Sequence, residues 1–174
     1  MMNDQISGAG SVNTFLLIRE VDAPRQLLFD LWTKKEHIEK WFGPGGSKIV
    51  NCTNDLRPGG MLHYGMEFPN GFVMYGRWVY KEIVPPEKLV FIASFSDENK
   101  GIGRHPMAEG WPAETLSEII FEDKNGKTLL KMSATPVNAS EEEEKLFREG
   151  FGSMEKGWAG TFRQLEEYLD LIKN

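Results

Sequence analysis

Three histidines, one cysteine and a few carboxylates in strand-like segments are the side chains through which this sequence could do chemistry. An imidazole can move a proton near neutral pH or ligate a metal. Yet His37, His63 and His105 stand apart, with no second His or Cys at ligand spacing. His37 falls on the polar side of a short helical segment and His105 in a long polar loop, so both read as solvated rings. His63 alternates with Leu62 in a strand and could face the interior, either as a satisfied structural histidine or as a base. Glu67 and Glu118 could project inward and act as general acid or base if burial raised their pKa values. Asp55 and Arg57, two apart before a turn, share a face and read as an ion pair that fixes it. The lone Cys52 excludes an internal disulfide and a multi-cysteine metal cluster. The glycines of residues 43–46 and 59–60 are too few and wrongly placed to cradle phosphate, and no nucleotide fingerprint or nucleophile elbow appears. The sequence thus names no catalytic residue, no metal site and no cofactor.

Aromatic and methionine side chains form the stronger pattern. Trp41, Met66, Trp78 and Tyr80 in the first half read as lining a cavity for an apolar guest. Phe95 just before the long loop and Trp111 within it join them, with Phe151, Met154, Trp158 and Phe162 along the last helix. Methionine adapts to irregular guests, and an aromatic with a polar tip can orient one. The alternative is that all of them fill a solid core. Strand alternation leaves two options open: Trp78 and Tyr80 line the cavity while Val79 and Ile83 face out, or the reverse.

These residues need elements to hold them. Period-two alternation and turn chemistry predict strands over residues 12–21, 48–54, 61–68, 72–84, 88–95, 115–123 and 128–135. The punctuation between the later ones, such as Pro69-Asn70-Gly71 and Lys124-Asn125-Gly126, is hairpin chemistry, which implies antiparallel neighbours. Asp22 can cap a first helix carrying Leu27, Leu28, Leu31 and Trp32, and a second short helix runs over about residues 35–41. Residues 96–113 form a long loop whose Met107 and Trp111 suit a flap at the mouth of a cavity, or a ring that pins the loop down. Ser140 and Glu143 form a capping box. From there Phe147, Phe151, Met154, Trp158, Phe162, Leu165, Leu169 and Ile172 recur at steps of three and four, one continuous helical stripe. Gly150 and Gly157, with Thr161, leave one edge of that stripe bare, through close approach of the sheet or room for a guest.

The 174 residues fit one α+β domain over residues 12–174 behind a flexible leader, residues 1–11. A net charge of −6 and the lack of a basic stripe argue against nucleic acid and acidic membranes as partners. Apolar runs are too short for membrane insertion, and no secretory signal is visible, so the expected location is cytoplasmic.

Four segments carry a resemblance. They are Arg19-Glu20-Val21-Asp22-Ala23-Pro24 with Leu31-Trp32-Thr33 and Trp41-Phe42-Gly43-Pro44; Asp55-Leu56-Arg57-Pro58-Gly59-Gly60; residues 82–91; and Gly157-Trp158. In this order they resemble proteins similar to the C-terminal domain of the activator of the ninety-kilodalton heat-shock-protein ATPase, of the START-like, birch-pollen-allergen-like superfamily. The resemblance implies a helix-grip fold: a seven-stranded curved antiparallel sheet around a long C-terminal helix, two short helices closing one end. It further implies a hydrophobic small molecule held between sheet and helix; with no catalytic constellation in the sequence, the expectation is a non-catalytic binding protein, monomer or homodimer, for a lipid-like or polycyclic aromatic ligand. Its alternatives are a chaperone-associated interaction module and a cyclase or aromatase. The co-chaperone's additional N-terminal domain has no counterpart ahead of the first strand.

Overall fold

Alternation along seven strands builds one sheet, and it decides which side chains meet the helices. The computed structural model describes residues 12–173; the leader expected over residues 1–11 lies outside them. The strands are β1 Phe15–Val21, β2 Lys48–Asn54, β3 Met61–Glu67, β4 Val73–Val84, β5 Lys88–Ser96, β6 Glu114–Lys124 and β7 Lys127–Val137. They pair antiparallel in the order β1-β7-β6-β5-β4-β3-β2. Between β1 and β2 lie α1 Arg25–Thr33 and α2 Lys35–Trp41, and α3 Glu141–Glu149 and α4 Phe151–Lys173 follow β7. This is the helix-grip arrangement. Asn125 and Gly126 both hold positive φ, 54° and 91°, as a two-residue hairpin loop requires.

The registers settle the faces. Leu62 pairs with Trp78, which pairs with Ala93, and Tyr80 pairs with Phe91. Leu62, Trp78, Tyr80 and Phe91 are buried on the concave side, and Val79 points the other way. Val79 and Ile83 do not share a face, because the ladder shifts between Tyr80 and Glu82. That bulge returns Ile83 inward opposite Leu89, against the core.

Two local expectations are corrected. Asp22 does not cap α1, which starts from an extended Pro24 with no side-chain cap. Instead the Asp22 carbonyl accepts from Lys173 Nζ at 2.8 Å, tying the chain to the end of α4. The last helix is also not continuous. Ser140 and Glu143 make the capping box, but the helix breaks at Gly150, whose φ and ψ are −91° and 2°. Ile172, the expected end of the stripe, is exposed.

Helix α4 is held in its groove by specific contacts. Gln164 donates to the carbonyls of Trp41 at 3.1 Å and Gly43 at 2.7 Å, and Tyr168 meets His37 Nδ1 at 2.8 Å. His37 is therefore a joint between α2 and α4 rather than a solvated ring. The Arg19 guanidinium lies 4.7 Å from the Phe162 ring centroid. At Gly160 a Cβ would come within 3.1 Å of the Gly45 backbone nitrogen, whereas around Gly157 there is open space. The bare edge at Gly157 thus marks neither sheet nor guest. Gly157→Ala should raise stability by about 1 kcal/mol, the usual helical gain of alanine over glycine. Gly160→Ala should gain less or lose, because the Gly45 backbone must move. Urea melts of the two variants check this contrast; equal gains would contradict the close packing at Gly160.

Candidate ligand-binding site

The concave face is not filled along its whole length. Between the sheet, the α3–α4 junction and the loop after β5 lies a cavity of about 570 Å³. That is within the usual range for sites that enclose small molecules, roughly 300–1,000 Å³. Its back wall is aromatic: Trp78 and Phe91 stack at 4.0 Å with their planes 14° apart. Phe42 and Tyr64 meet edge to face at 5.2 Å beside them. Burial pushes the Tyr64 phenol up to about 12, so it stays a neutral donor. Helix α4 contributes Met154 and Trp158, and β6 turns the hydroxyl-bearing Thr115 and Ser117 inward.

The expected lining divides. Trp78, Phe95, Trp111, Met154 and Trp158 come together around the cavity. Trp41, Met66, Tyr80, Phe151 and Phe162 lie outside that lining. Trp41 is buried behind it, its indole donating to the Leu31 carbonyl at 2.9 Å. Met66 lies under the Gly43 turn, its Cε 3.1 Å from where a Cβ on that glycine would sit. Tyr80 donates to Asn54 at 3.0 Å, and burial raises its phenol too. Phe162 is fully buried beneath Trp32 and Trp158. Phe151 packs on Phe15 and Phe147, each at 5.6 Å. Tyr80 and Trp78 share a face, but one strand step separates packed core from open space, and alternation does not report depth.

The side chains considered for catalysis face elsewhere. His63 is on the outer side of β3, stacked on Tyr75 and bonded through Nε2 to the Asp97 carbonyl at 2.9 Å. Glu67 pairs with Lys48 at 3.5 Å at the sheet edge. Glu118 alternates with the inward Ser117 and Ile119, so it too points away from the cavity. Asp55 and Arg57 form the expected ion pair at 2.9 Å. Burial pushes the Cys52 thiol up to about 11, leaving it protonated. Among the described residues no three His, Cys, Asp or Glu side chains gather to hold a metal.

His105 is the residue the sequence placed wrongly. Nothing in its spacing separates it from a solvated loop histidine, yet it lines the cavity. Its ring centroid is 4.9 Å from that of Phe95 and 5.8 Å from that of Trp111. Nδ1 accepts from the Met107 backbone N–H at 3.0 Å, and burial holds the ring below its ordinary pKa. Met107, expected to pack, is 85% exposed. The loop from residue 97 to residue 113 closes over the mouth through Trp111, whose ring lies against Gly150 and 5.3 Å from Phe147. Arg104 braces it, donating to the Trp111 carbonyl at 3.0 Å and to Glu143 at 2.7 Å. That hydrogen bond and the Ser140 backbone N–H hold the Glu143 carboxyl below the usual range.

Two expected outcomes follow from this flap. A Cβ on Gly150 would stand 2.6 Å from the Trp111 ring, so Gly150→Ala should dislodge Trp111 without unfolding the sheet. Trypsin should then cut at Lys100 or Arg104 faster than in the parent, with far-ultraviolet circular dichroism little changed. The second outcome concerns pH. Folding holds His105 below its ordinary value of about 6.5, so the unfolded segment takes up the proton first. The stability it confers is full above that value and falls as the pH drops through it. Protonated Nδ1 also loses its capacity to accept from Met107. Tryptic cleavage of the flap, measured relative to that of an unstructured peptide carrying the same sites at each pH, should therefore rise from about pH 7.5 to about pH 5.5, and His105→Gln should abolish the rise.

The family of proteins described as Activator of Hsp90 ATPase homolog 1-like matches residues 22–170. Among solved structures, a Nitrosomonas europaea protein is 26% identical, with a TM-score of 0.73 over 94% of this chain and 97% of its own. A Rhodobacter sphaeroides protein at 17% identity gives a TM-score of 0.75 over 96% of this chain and 99% of its own. The AHSA1 protein of Silicibacter pomeroyi gives 0.67 at 20% identity, over 91% and 99%. No curated protein is significantly similar to the chain. With a family match spanning most of its length and the same fold in these relatives, the chain belongs to the Activator of Hsp90 ATPase homolog 1-like family.

Proposed function

We propose that this protein holds a small or medium apolar molecule, without catalysis, in the cavity between the sheet and α4. The observation that carries the reading is the cavity of about 570 Å³, walled largely by aromatic rings and covered by a flap. Glu67, Glu118 and His63, which the sequence offered as acids or bases, lie away from it. An interaction with a chaperone, suggested by the family description, has a surface to use. Leu16 and Ile18 are 45% and 59% exposed on the outer face of β1. No helix among the described residues is long and apolar enough to cross a membrane.

Thermal shift and native mass spectrometry against hydrophobic compounds should find ligands that stabilise the protein. Trp158 then separates cavity from core. It stacks on Trp32 at 6.0 Å on one side and borders the cavity on the other. Truncating a fully packed aromatic costs about 3–5 kcal/mol. Trp158→Ala should cost less, since part of its surface already lacks neighbours, and should remove most of the ligand-induced stabilisation. Urea melts with and without ligand read both quantities. A full core penalty with an undiminished ligand increment would overturn the assignment.

A further inference from the structure

Resting on that cavity reading, we infer that His105 is the polar anchor of the site and that the guest is a neutral ring compound bearing a hydrogen-bond-accepting oxygen, such as a ketone or ester.

The tautomer follows from the flap's own backbone. The Met107 N–H donates to Nδ1 at 3.0 Å, so in the neutral ring the proton sits on Nε2. Nε2, the ring's other nitrogen, makes no hydrogen bond among the described residues, and the ring itself lines the cavity. Phe95 and Trp111 hold that ring from two sides, at 4.9 and 5.8 Å. The donor is thus fixed by contacts that do not involve a ligand, the condition under which a single hydrogen bond orients a guest.

The charges nearby decide what kind of acceptor fits. Among the described residues no lysine or arginine lines the cavity, and the one charged lining residue is Glu149. Glu149 is itself 59% exposed at the rim and pairs with Lys145 at 3.9 Å, so solvent screens its charge. Arg104, the cation closest along the chain to His105, is committed to Glu143 and the Trp111 carbonyl. A carboxylate guest would leave water for an apolar enclosure that offers it no cation, which is costly. A carbonyl oxygen needs only the Nε2–H. The Thr115 and Ser117 hydroxyls on β6 offer further partners on the sheet side, where Ser117 pairs with Phe91 of the aromatic wall. That aromatic wall suits a flat ring system.

Three probes of one shape test this: acetylnaphthalene, isopropenylnaphthalene and naphthoic acid, with affinities measured by quenching of tryptophan fluorescence near neutral pH. The ketone should bind roughly threefold to tenfold more tightly than the hydrocarbon, the range of one net hydrogen bond, and the acid should bind most weakly. In His105→Phe the hydrocarbon should keep its affinity within about twofold while the ketone preference disappears. His105→Gln, which retains an N–H donor, should restore part of that preference. Hydrocarbon and ketone binding equally to the parent protein would overturn the anchor while leaving the cavity reading intact. Preference for the acid would overturn the neutral-guest assignment, and a ketone preference surviving in His105→Phe would overturn the role of His105. No binding by any probe would overturn both the anchor and the cavity. The parent protein's response to the three probes decides the first of these even if a variant fails to fold.

Discussion

Trp32 is the joint on which the rest of the structure is hung. It is buried, and its ring meets Trp41 of α2, Phe42 in the following turn, Trp78 of β4, Phe121 of β6, and Trp158 and Phe162 of α4. One rigid side chain therefore spaces three helices and two strands. Its indole N–H is a buried donor without a hydrogen-bond partner among the described residues, but Trp41, Phe42 and Phe121 stand at 66°, 71° and 74° to it. Edge-to-face rings present negative faces to positive edges, which offsets part of the cost. Trp78 and Trp158 instead stack on Trp32 at 22° and 28°. Both also border the cavity. The aromatic joint is thus the back wall of the site, and the position of α4 fixes the width of the site.

The open space comes from a gradient of side-chain size along the strands. On the inward face of β6 the sequence runs from Phe121 and Ile119, both buried, to Ser117 and Thr115. On β7 it runs from Leu130 through Met132 to Ala134, and on β5 it drops from Phe91 to Ala93 before Phe95 closes the far end. The pairings Ser117–Ala134 and Thr115–Ala93 bring the small residues together. At the large end the two layers interdigitate into core. At the small end they cannot meet, and the flap covers what remains.

This gradient also explains what the sequence disclosed. Strand positions were legible within a few residues because alternation and hairpin residues act locally, and the capping box at Ser140 was legible for the same reason. The break in the last helix was not. Gly150 interrupts a stripe whose spacing is unbroken, and its neighbour there is Trp111, nearly forty positions earlier. The parity change at Tyr80–Glu82 was hidden likewise, since a bulge leaves the composition of a strand unaltered. For the cavity, face could be argued but depth could not: Phe162 and Trp158 lie one helical turn apart, one sealed in the core and the other at the edge of the space. His105 depends on loop conformation, for which periodicity carries no signal.

The flap is held in a way that makes its opening inexpensive compared with the fold. Its ion pair, Arg104 with Glu143, is partly exposed on the arginine side, and such pairs contribute about 0–1 kcal/mol. Glu143 also has a second task, since its carboxylate accepts from the Ser140 N–H at 3.0 Å in the capping box. Releasing Arg104 therefore leaves α3 capped, and the flap can part from the helix without fraying it. The remaining hold is apolar: Trp111 against Gly150 and Phe147, and His105 against Phe95. Those contacts face the same space a guest would occupy. An apolar guest would add surface to the inner side of Trp111 and His105, so occupancy and closure favour one another through a single set of contacts. By contrast α4 is pinned by Gln164, by Tyr168 on His37 and by the rings around Trp32. The division of labour is physical: the rigid helix sets the volume of the site, and the weakly latched loop controls access to it.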